Sequence, residues 1–90
     1  MIESIEYKTL YAIHTMTMDK KDELQKCEAK LTVLQDKINL NPENRVVEYK
    51  YFLAKLRCDQ LKRTIQELWT IEKELRYKTT LIQINRLQAS

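Results

Sequence analysis

Two cysteines are the side chains in this sequence with the greatest chemical reactivity, and their use depends on how the chain folds. Cys27 and Cys58 are far apart in the sequence and lack the closely paired spacing of a zinc site or a redox dithiol. Free cysteines commonly serve as small apolar core residues, and two that meet in a fold can form a disulfide. We predict core positions for both and keep an intrachain Cys27 to Cys58 disulfide as the alternative.

No other group of residues predicts catalysis or metal binding. His14 is the only histidine, and it has no cysteine or carboxylate at helical spacing that could share a metal ion with it. The chain has no glycine for a phosphate-binding loop, and its serines, Ser4 and Ser90, lie near opposite ends. Glu72 and Arg76 have the spacing of a surface ion pair on a helix. We therefore expect no enzymatic activity, metal or cofactor.

Apolar residues recur on both sides of Pro42 at the three- and four-residue spacing of packed helices. The first ladder is Leu24, Cys27, Leu31, Leu34 and Ile38, and the second ladder is Val47, Tyr51, Ala54, Cys58 and Leu61. If the chain reverses near Pro42, each residue of the first ladder faces the residue of the second whose number sums with its own to 85. Cys27 then lies opposite Cys58. The sequence predicts an all-α fold, an antiparallel, coiled-coil-like helical hairpin.

Composition and capping residues set the expected boundaries of the hairpin. Ninety residues without glycine and with one proline, 43% hydrophobic and 32% charged, are typical of one domain built from long amphipathic helices. Asn41 is predicted to cap the second helix, Pro42 to occupy its first turn and Asn39 to close the first helix. The predicted ranges are 1–90 for a single helical domain, 1–18 for an N-terminal segment, 19–39 for helix one, 39–42 for the turn and 42–85 for a longer helix two.

The N-terminal segment has both helical and strand-like periodicity, and we prefer a helix because a strand would have no partner in this chain. Thr17 and Asp19 are candidate capping residues, so helix one is expected to break there. Extending the facing rule places Lys20 against Ile65, which is a poor match. We therefore expect the seam between the helices to deteriorate upstream of Leu24.

An uncovered part of helix two suggests the function of the chain. The expected partner-binding residues are Ile65, Leu68, Trp69 and Leu75. Trp69 is either the anchor of the interface or packed against a folded-back N-terminal segment. A second apolar flank, beside the main seam, consists of Tyr49, Phe52, Leu53 and Leu56. Because one facing helix cannot bury both stripes, we expect a homodimer or a helical protein partner to complete a bundle. The chain is interpreted as a protein-protein interaction module, either a subunit of a complex or a chaperone or adaptor that covers a partner helix.

The charge pattern provides an alternative function. The net charge of +3 arises from 16 basic and 13 acidic residues, and basic residues predominate between Arg45 and Arg63. This stretch could bind nucleic acid or another acidic surface, which the mixed charge of the whole chain makes the less favoured interpretation. No apolar run is long enough for a signal peptide or a membrane span, and we expect a cytoplasmic protein.

In size and hairpin outline, residues 19–70 resemble the small helical co-chaperones that keep needle subunits of type III secretion systems unassembled. Spectrin-like fragments and small subunits of cytoskeletal or trafficking complexes have a similar outline. The resemblance lies in shape, with no shared motif. It implies a chaperone that covers a helix of its partner.

Overall fold

The computed structural model describes the backbone of residues 3–89 and the side chains of residues 8–88. Helix α1 runs over Glu3–Leu40 and helix α2 over Arg45–Ala89. The two helices pack along each other as a hairpin, and the described residues contain no strand. The molecule is a rod with extents of 71 × 16 × 14 Å. The predicted all-α hairpin with a longer second helix is confirmed.

Contacts between the helices agree with the register that the two ladders predict. Near the middle of the rod, the Cys27 thiol donates to the carbonyl oxygen of Ala54 at 3.3 Å. One helical turn further from the loop, an Arg57 guanidinium nitrogen lies 2.9 Å from a Glu23 carboxylate oxygen. The residue numbers sum to 81 for Cys27 with Ala54 and to 80 for Glu23 with Arg57, about one helical turn from the predicted 85, so both contacts fit one antiparallel alignment.

The hydrophobic core is a single narrow seam between the helices. Its buried apolar residues are Leu34, Ala54, Cys58, Leu61 and Leu68. All of them except Leu34 belong to α2, and α1 contributes mostly half-buried side chains. A two-helix contact covers each helix along one stripe only, which explains why few side chains are fully enclosed.

The expectation that the seam deteriorates upstream of Leu24 is wrong, because α1 continues along α2 well beyond that point. Thr17, Glu72 and Thr79 are buried in this distal part, at 3%, 8% and 9% exposure. The distal seam is therefore closed, but it is closed by polar side chains. The ladder positions of Glu72 and Thr79 interrupt the apolar pattern without interrupting the packing.

Helix α1 does not break at Thr17 or Asp19, and residues 3–18 are part of it. The Thr17 hydroxyl donates to the carbonyl oxygen of Ile13 at 2.9 Å, one turn earlier in the same helix. A threonine that satisfies its hydroxyl in this way does not need to cap a helix end, and it can be buried inside one. Residues 1 and 2 lie outside the described part of the chain.

The loop lies later in the chain than predicted, because it covers residues 41–44 and the predicted turn covers 39–42. The Asn44 amide donates to the Asn41 carbonyl at 3.2 Å, which closes a tight turn with Pro42 and Glu43 at its centre. The Asn44 side-chain oxygen accepts from the amides of Val46 and Val47 at 3.2 and 3.3 Å. Asn44, rather than Asn41, caps α2, so α2 begins at residue 45 and not at 42.

The closing residue of α1 also differs from the prediction. No described residue has a positive φ, so Asn39 does not end α1 in a left-handed conformation. The Asn41 amide instead donates to the Lys37 carbonyl at 3.0 Å, which continues the helical hydrogen-bond pattern into the loop. At the other end of the hairpin, α2 extends to Ala89, beyond the predicted limit of 85.

Within the described residues, neither helix has a stretch that is both long enough and apolar enough to cross a membrane.

Candidate interaction surface

The four predicted partner-binding residues do not form one exposed stripe. Leu68 is 9% exposed and faces α1, and Ile65 and Leu75 are half-buried in the same seam. Only Trp69 is open to solvent, with 50% of its surface exposed. The premise that helix one is too short to cover this region is wrong, because α1 runs without interruption from residue 3 to residue 40. A partner-binding role for these residues stays a prediction.

Trp69 lies at the edge of the distal seam in a charged setting. The Lys73 ammonium group is 5.1 Å from the centroid of the indole ring, a cation-π distance. Glu72, Lys73 and Arg76 line a shallow surface depression together with Trp69. An indole with a charged rim of this kind is partly occupied by its own chain, so it does not constitute a broad apolar surface by itself.

The largest apolar surface lies on the side of α2 that faces away from α1. Near the loop, it consists of a proximal patch formed by Val46, Tyr49, Phe52, Leu53 and Leu56. Near the far end of the rod, a distal patch is formed by Tyr77, Leu81 and Ile84. Each of these side chains exposes between 41% and 67% of its surface. We call the two patches and the polar residues between them the outer face of α2.

Four residues of the proximal patch belong to the second apolar flank that the sequence predicts. The distal patch was missed by the sequence analysis, although it has a recognisable signal. Tyr77, Leu81 and Ile84 are spaced by four and three residues, out of phase with the ladder that passes through Leu75 and Ile82. Because the two apolar patterns overlap in this segment, a single periodicity does not reveal both.

The centre of the outer face is polar and carries charges of both signs. The stripe that joins the two patches consists of exposed polar residues, with the exposed apolar Ile71 beside it: Gln60, Arg63, Glu67, Thr70 and Glu74. Within the described residues, neither Arg63 nor Glu67 forms an ion pair. The outer face thus has apolar ends and a charged middle, and it remains uncovered in a single copy of the chain.

The distal seam contains the only carboxylate among the described residues that is buried. Glu72 accepts hydrogen bonds from two guanidinium nitrogens of Arg76, at 2.8 and 3.3 Å, and its oxygen lies 3.3 Å from the His14 ring nitrogen Nδ1. Arg76 holds the pKa of Glu72 below its ordinary value of 4.5, against the opposing effect of burial, and His14 adds to the lowering. This arrangement stabilises a charge inside the seam.

The Cys27 and Cys58 side chains are hydrogen-bond neighbours across the seam, and both are free thiols. Cys58 is fully buried, while Cys27 is half-buried. Burial, followed by the neighbouring Cys27 thiol, raises the pKa of the Cys58 thiol from 9.0 to about 11. A thiol with such a pKa is a poor nucleophile at neutral pH. A Cys27 to Cys58 disulfide stays a prediction.

The basic stretch between Arg45 and Arg63 is partly neutralised by carboxylates. Arg57 pairs with Glu23 at 2.9 Å, and Lys55 lies 3.8 Å from an Asp59 carboxylate oxygen. The remaining basic side chains of the stretch are exposed: Arg45, Lys50, Lys62 and Arg63. Binding of nucleic acid through this stretch stays a prediction.

Among the described residues, no group of three histidine, cysteine, aspartate or glutamate side chains is placed to hold a metal ion. Comparisons with protein-family models, with curated proteins and with solved structures find no match to the chain.

Proposed function

We propose that this chain is a small non-enzymatic interaction module that binds helices through the outer face of α2. The observation that carries the proposal is the pair of exposed apolar patches at the two ends of this face. The role could be that of a subunit in a complex or of a chaperone or adaptor that covers a partner helix. Both roles use the same surface.

The free-energy cost of leaving apolar surface exposed to water supports this proposal. Proteins that stay monomeric rarely expose contiguous apolar patches of more than a few hundred Å². The side chains of the proximal patch follow the spacing of a helix stripe, and so do those of the distal patch. A surface with that spacing fits another helix, because helices bury one another along stripes of this kind.

The partner-binding residues predicted from sequence enter the proposal in a reduced form. Ile65, Leu68 and Leu75 support α2 from the seam side, where they hold it against α1. Trp69 remains available at the edge of the seam, about a quarter of a helical turn away from the outer face. We assign the primary contact to the outer face and a peripheral contact to Trp69.

Two matched variants test the proposal. The first replaces Leu53 and Leu81 by lysine, which introduces one charge into each patch. The control replaces Gln25 and Ala29 by lysine, which adds the same charge to the exposed side of α1. Each tagged chain is cross-linked in its native source, and the covalent adducts, including those between copies, are identified by mass spectrometry.

We expect the native chain and the control to form the same adducts and the patch variant to lose them while it keeps its helical circular dichroism. Adducts that persist unchanged in the patch variant would show that the outer face is not the binding surface. A native chain that forms no adduct and sediments as a well-folded monomer at every concentration would overturn the proposal.

A further inference from the structure

We propose that the occupant of the outer face is a second copy of this chain, packed antiparallel through α2 in one defined register. This inference rests on the proposed function and names its partner. In the proposed dimer, each outer-face residue lies opposite the residue of the second copy whose number sums with its own to 130. The twofold axis then passes near residue 65, and the helix between residues 46 and 84, about 57 Å long, is paired throughout.

The apolar patches support this register because it places them on each other. Antiparallel helices pair residues in layers along the contact, and at this sum the two patches coincide at both ends of the dimer. The apolar layers are Val46 with Ile84, Tyr49 with Leu81 and Leu53 with Tyr77, and each occurs twice by symmetry. All six of these side chains are exposed in the single copy.

The charged centre supports the same register independently. At a sum of 130, Arg63 of each copy lies opposite Glu67 of the other, so two Arg–Glu ion pairs flank the twofold axis. Gln60 lies opposite Thr70, which places two uncharged polar side chains together. Charge complementarity at the centre and apolar contact at both ends give this register two separate reasons to be preferred.

The size of the surface is adequate for a dimer. Summed over both patches, the exposed apolar side chains present on the order of 800 Å² per copy, which is about the contribution of each partner to a standard protein interface. A helix contact of this length would bury most of that area. The dimer would therefore cover the main apolar surface that the hairpin leaves open.

One layer of the proposed dimer is mismatched, and it provides a sharp test. Leu56 lies opposite Glu74, so an aliphatic side chain meets a carboxylate. Lys50 and Lys78 also approach each other at the rim of the interface. Both mismatches predict that the dimer forms with moderate affinity. The first also predicts that a substitution at Glu74 can strengthen the dimer.

The competing register is displaced by one heptad, to a sum of 137. It pairs Leu53 with Ile84 and Leu56 with Leu81, and it leaves Val46 without an opposite residue. In that arrangement, Arg63 lies opposite Glu74, while Glu67 lies opposite the uncharged Thr70. The two registers therefore predict different effects for substitutions at Glu67 and Glu74. A change at Glu67 removes an ion pair only at a sum of 130, and a change at Glu74 removes one only at a sum of 137.

The first experiment reverses the central charges and measures dimer dissociation by sedimentation equilibrium. Arg63→Glu and Glu67→Arg each place like charges across the axis, and we expect each to raise the dissociation constant at least about tenfold. The double variant restores opposite charges and should return to within about threefold of the native value. Lys30→Glu, on the exposed side of α1, serves as the matched control and should have no effect.

The second experiment is Glu74→Leu, which converts the mismatched layer into a leucine pair with Leu56. We expect the dissociation constant to fall about tenfold, since an apolar layer replaces a partly desolvated carboxylate at two symmetric positions. The register with a sum of 137 predicts weaker dimerisation instead, because Arg63 would lose its partner. A fall in affinity would overturn the register proposed here.

The third experiment traps the register covalently. In a chain with Cys27→Ala and Cys58→Ala, the pair Leu53→Cys with Tyr77→Cys should form a disulfide-linked dimer, whereas Leu53→Cys with Ile84→Cys should not. The two new cysteines are far apart within one copy, since residues 53 and 77 are separated by about 36 Å along the helix. Preferential trapping of the second pair would overturn the proposal.

Failure of this inference can be distinguished from failure of the proposed function. A purified chain that is monomeric, but whose Leu53 and Leu81 lysine variant loses cross-linked adducts with another protein, would exclude the second copy and retain the helix-binding function. A dimer whose dissociation constant is unchanged by both the charge reversals and Glu74→Leu would likewise exclude this interface. A monomer without any adduct would overturn both.

Discussion

At the scale of single residues, the seam contains a buried charge where a coiled coil would normally have an apolar side chain. Glu72 occupies a ladder position and is 8% exposed, and its carboxylate is stabilised by Arg76 and His14. Both of these partners are largely exposed, so they would be solvated if the carboxylate were removed. The cluster satisfies a charge that the packing has enclosed.

Glu72→Leu is therefore expected to stabilise the hairpin by about 1 to 2 kcal/mol, because an apolar side chain fills the seam and no buried partner is left unpaired. Urea unfolding at neutral pH and at a fixed protein concentration measures the change. Glu28→Leu, at an exposed position of α1, is the control and should change the free energy of unfolding by less than about 0.5 kcal/mol. A destabilised Glu72→Leu variant would mean that the ion cluster contributes net stability.

The same residue predicts the acid sensitivity of the fold. Because the pKa of Glu72 is below 4.5 in the folded chain, the folded state binds fewer protons at this site than the unfolded state as the pH falls. The stabilising contribution is present above about pH 4.5 and is lost as the pH falls through the lowered pKa. We expect Glu72→Leu to lose less stability than the native chain in acid titrations of urea unfolding.

Cys58 predicts the behaviour at the alkaline end. Its pKa is raised from 9.0 to about 11 by burial and by the Cys27 thiol, so the unfolded state loses its proton first. The stability of the fold should therefore decline as the pH rises from about 9 to 11.

The burial of Cys58 also predicts its reactivity. In a Cys27→Ala chain at pH 8, maleimide should label Cys58 slowly when the chain is folded and rapidly in urea. Fast labelling of the folded chain would contradict the burial of this thiol.

At the scale of helices, the loop shows how a capping position can be displaced from its sequence signal. Asn41 and Asn44 flank Pro42 and Glu43, and either asparagine could cap a helix. In the turn that Pro42 favours, the Asn41 carbonyl accepts a hydrogen bond from the Asn44 amide. The Asn44 side chain then accepts from the first free amides of α2. The position of the cap follows from the geometry of the turn.

A pair of variants tests this assignment. Asn44→Ala should destabilise the hairpin by about 1 kcal/mol, because two amides of α2 lose their acceptor. Asn41→Ala removes a side chain that does not cap α2, and it should cost only a few tenths of a kcal/mol. Thermal unfolding followed by circular dichroism measures both. Equal or reversed effects would restore Asn41 as the capping residue.

At the scale of the whole molecule, the hairpin is a thin rod in which almost every core residue is close to solvent. A rod of 71 × 16 × 14 Å has one seam and no second layer. Domains normally bury the apolar stripes of their helices against at least one further layer. The apolar outer face of α2 is the part of the surface on which such a layer would form.

Small-angle scattering distinguishes the side-by-side dimer from other modes of association. The proposed dimer overlaps α2 along its length, so its maximum dimension should stay near the 71 Å of one rod while its cross-section about doubles. Association through the ends of the rods would instead increase the maximum dimension to about twice this value, as in any head-to-tail contact. A concentration series at low and high protein concentration provides the comparison.

Sequence periodicity by itself determined the hairpin, the register and the position of the two cysteines in the seam. These features depend on local helix geometry and on the reversal near Pro42, and an apolar ladder specifies both. The second apolar flank was visible for the same reason, because Tyr49, Phe52, Leu53 and Leu56 keep a helical spacing.

Only the tertiary structure decided how far α1 covers α2, and hence which apolar residues remain exposed. Thr17, Glu72 and Thr79 interrupt the ladder in sequence, yet they are buried because their polar atoms find partners in the helix itself or across the seam. A pattern of residue types does not contain those partners. Leu68 is consequently a core residue, and the distal patch of Tyr77, Leu81 and Ile84 takes its place on the open surface.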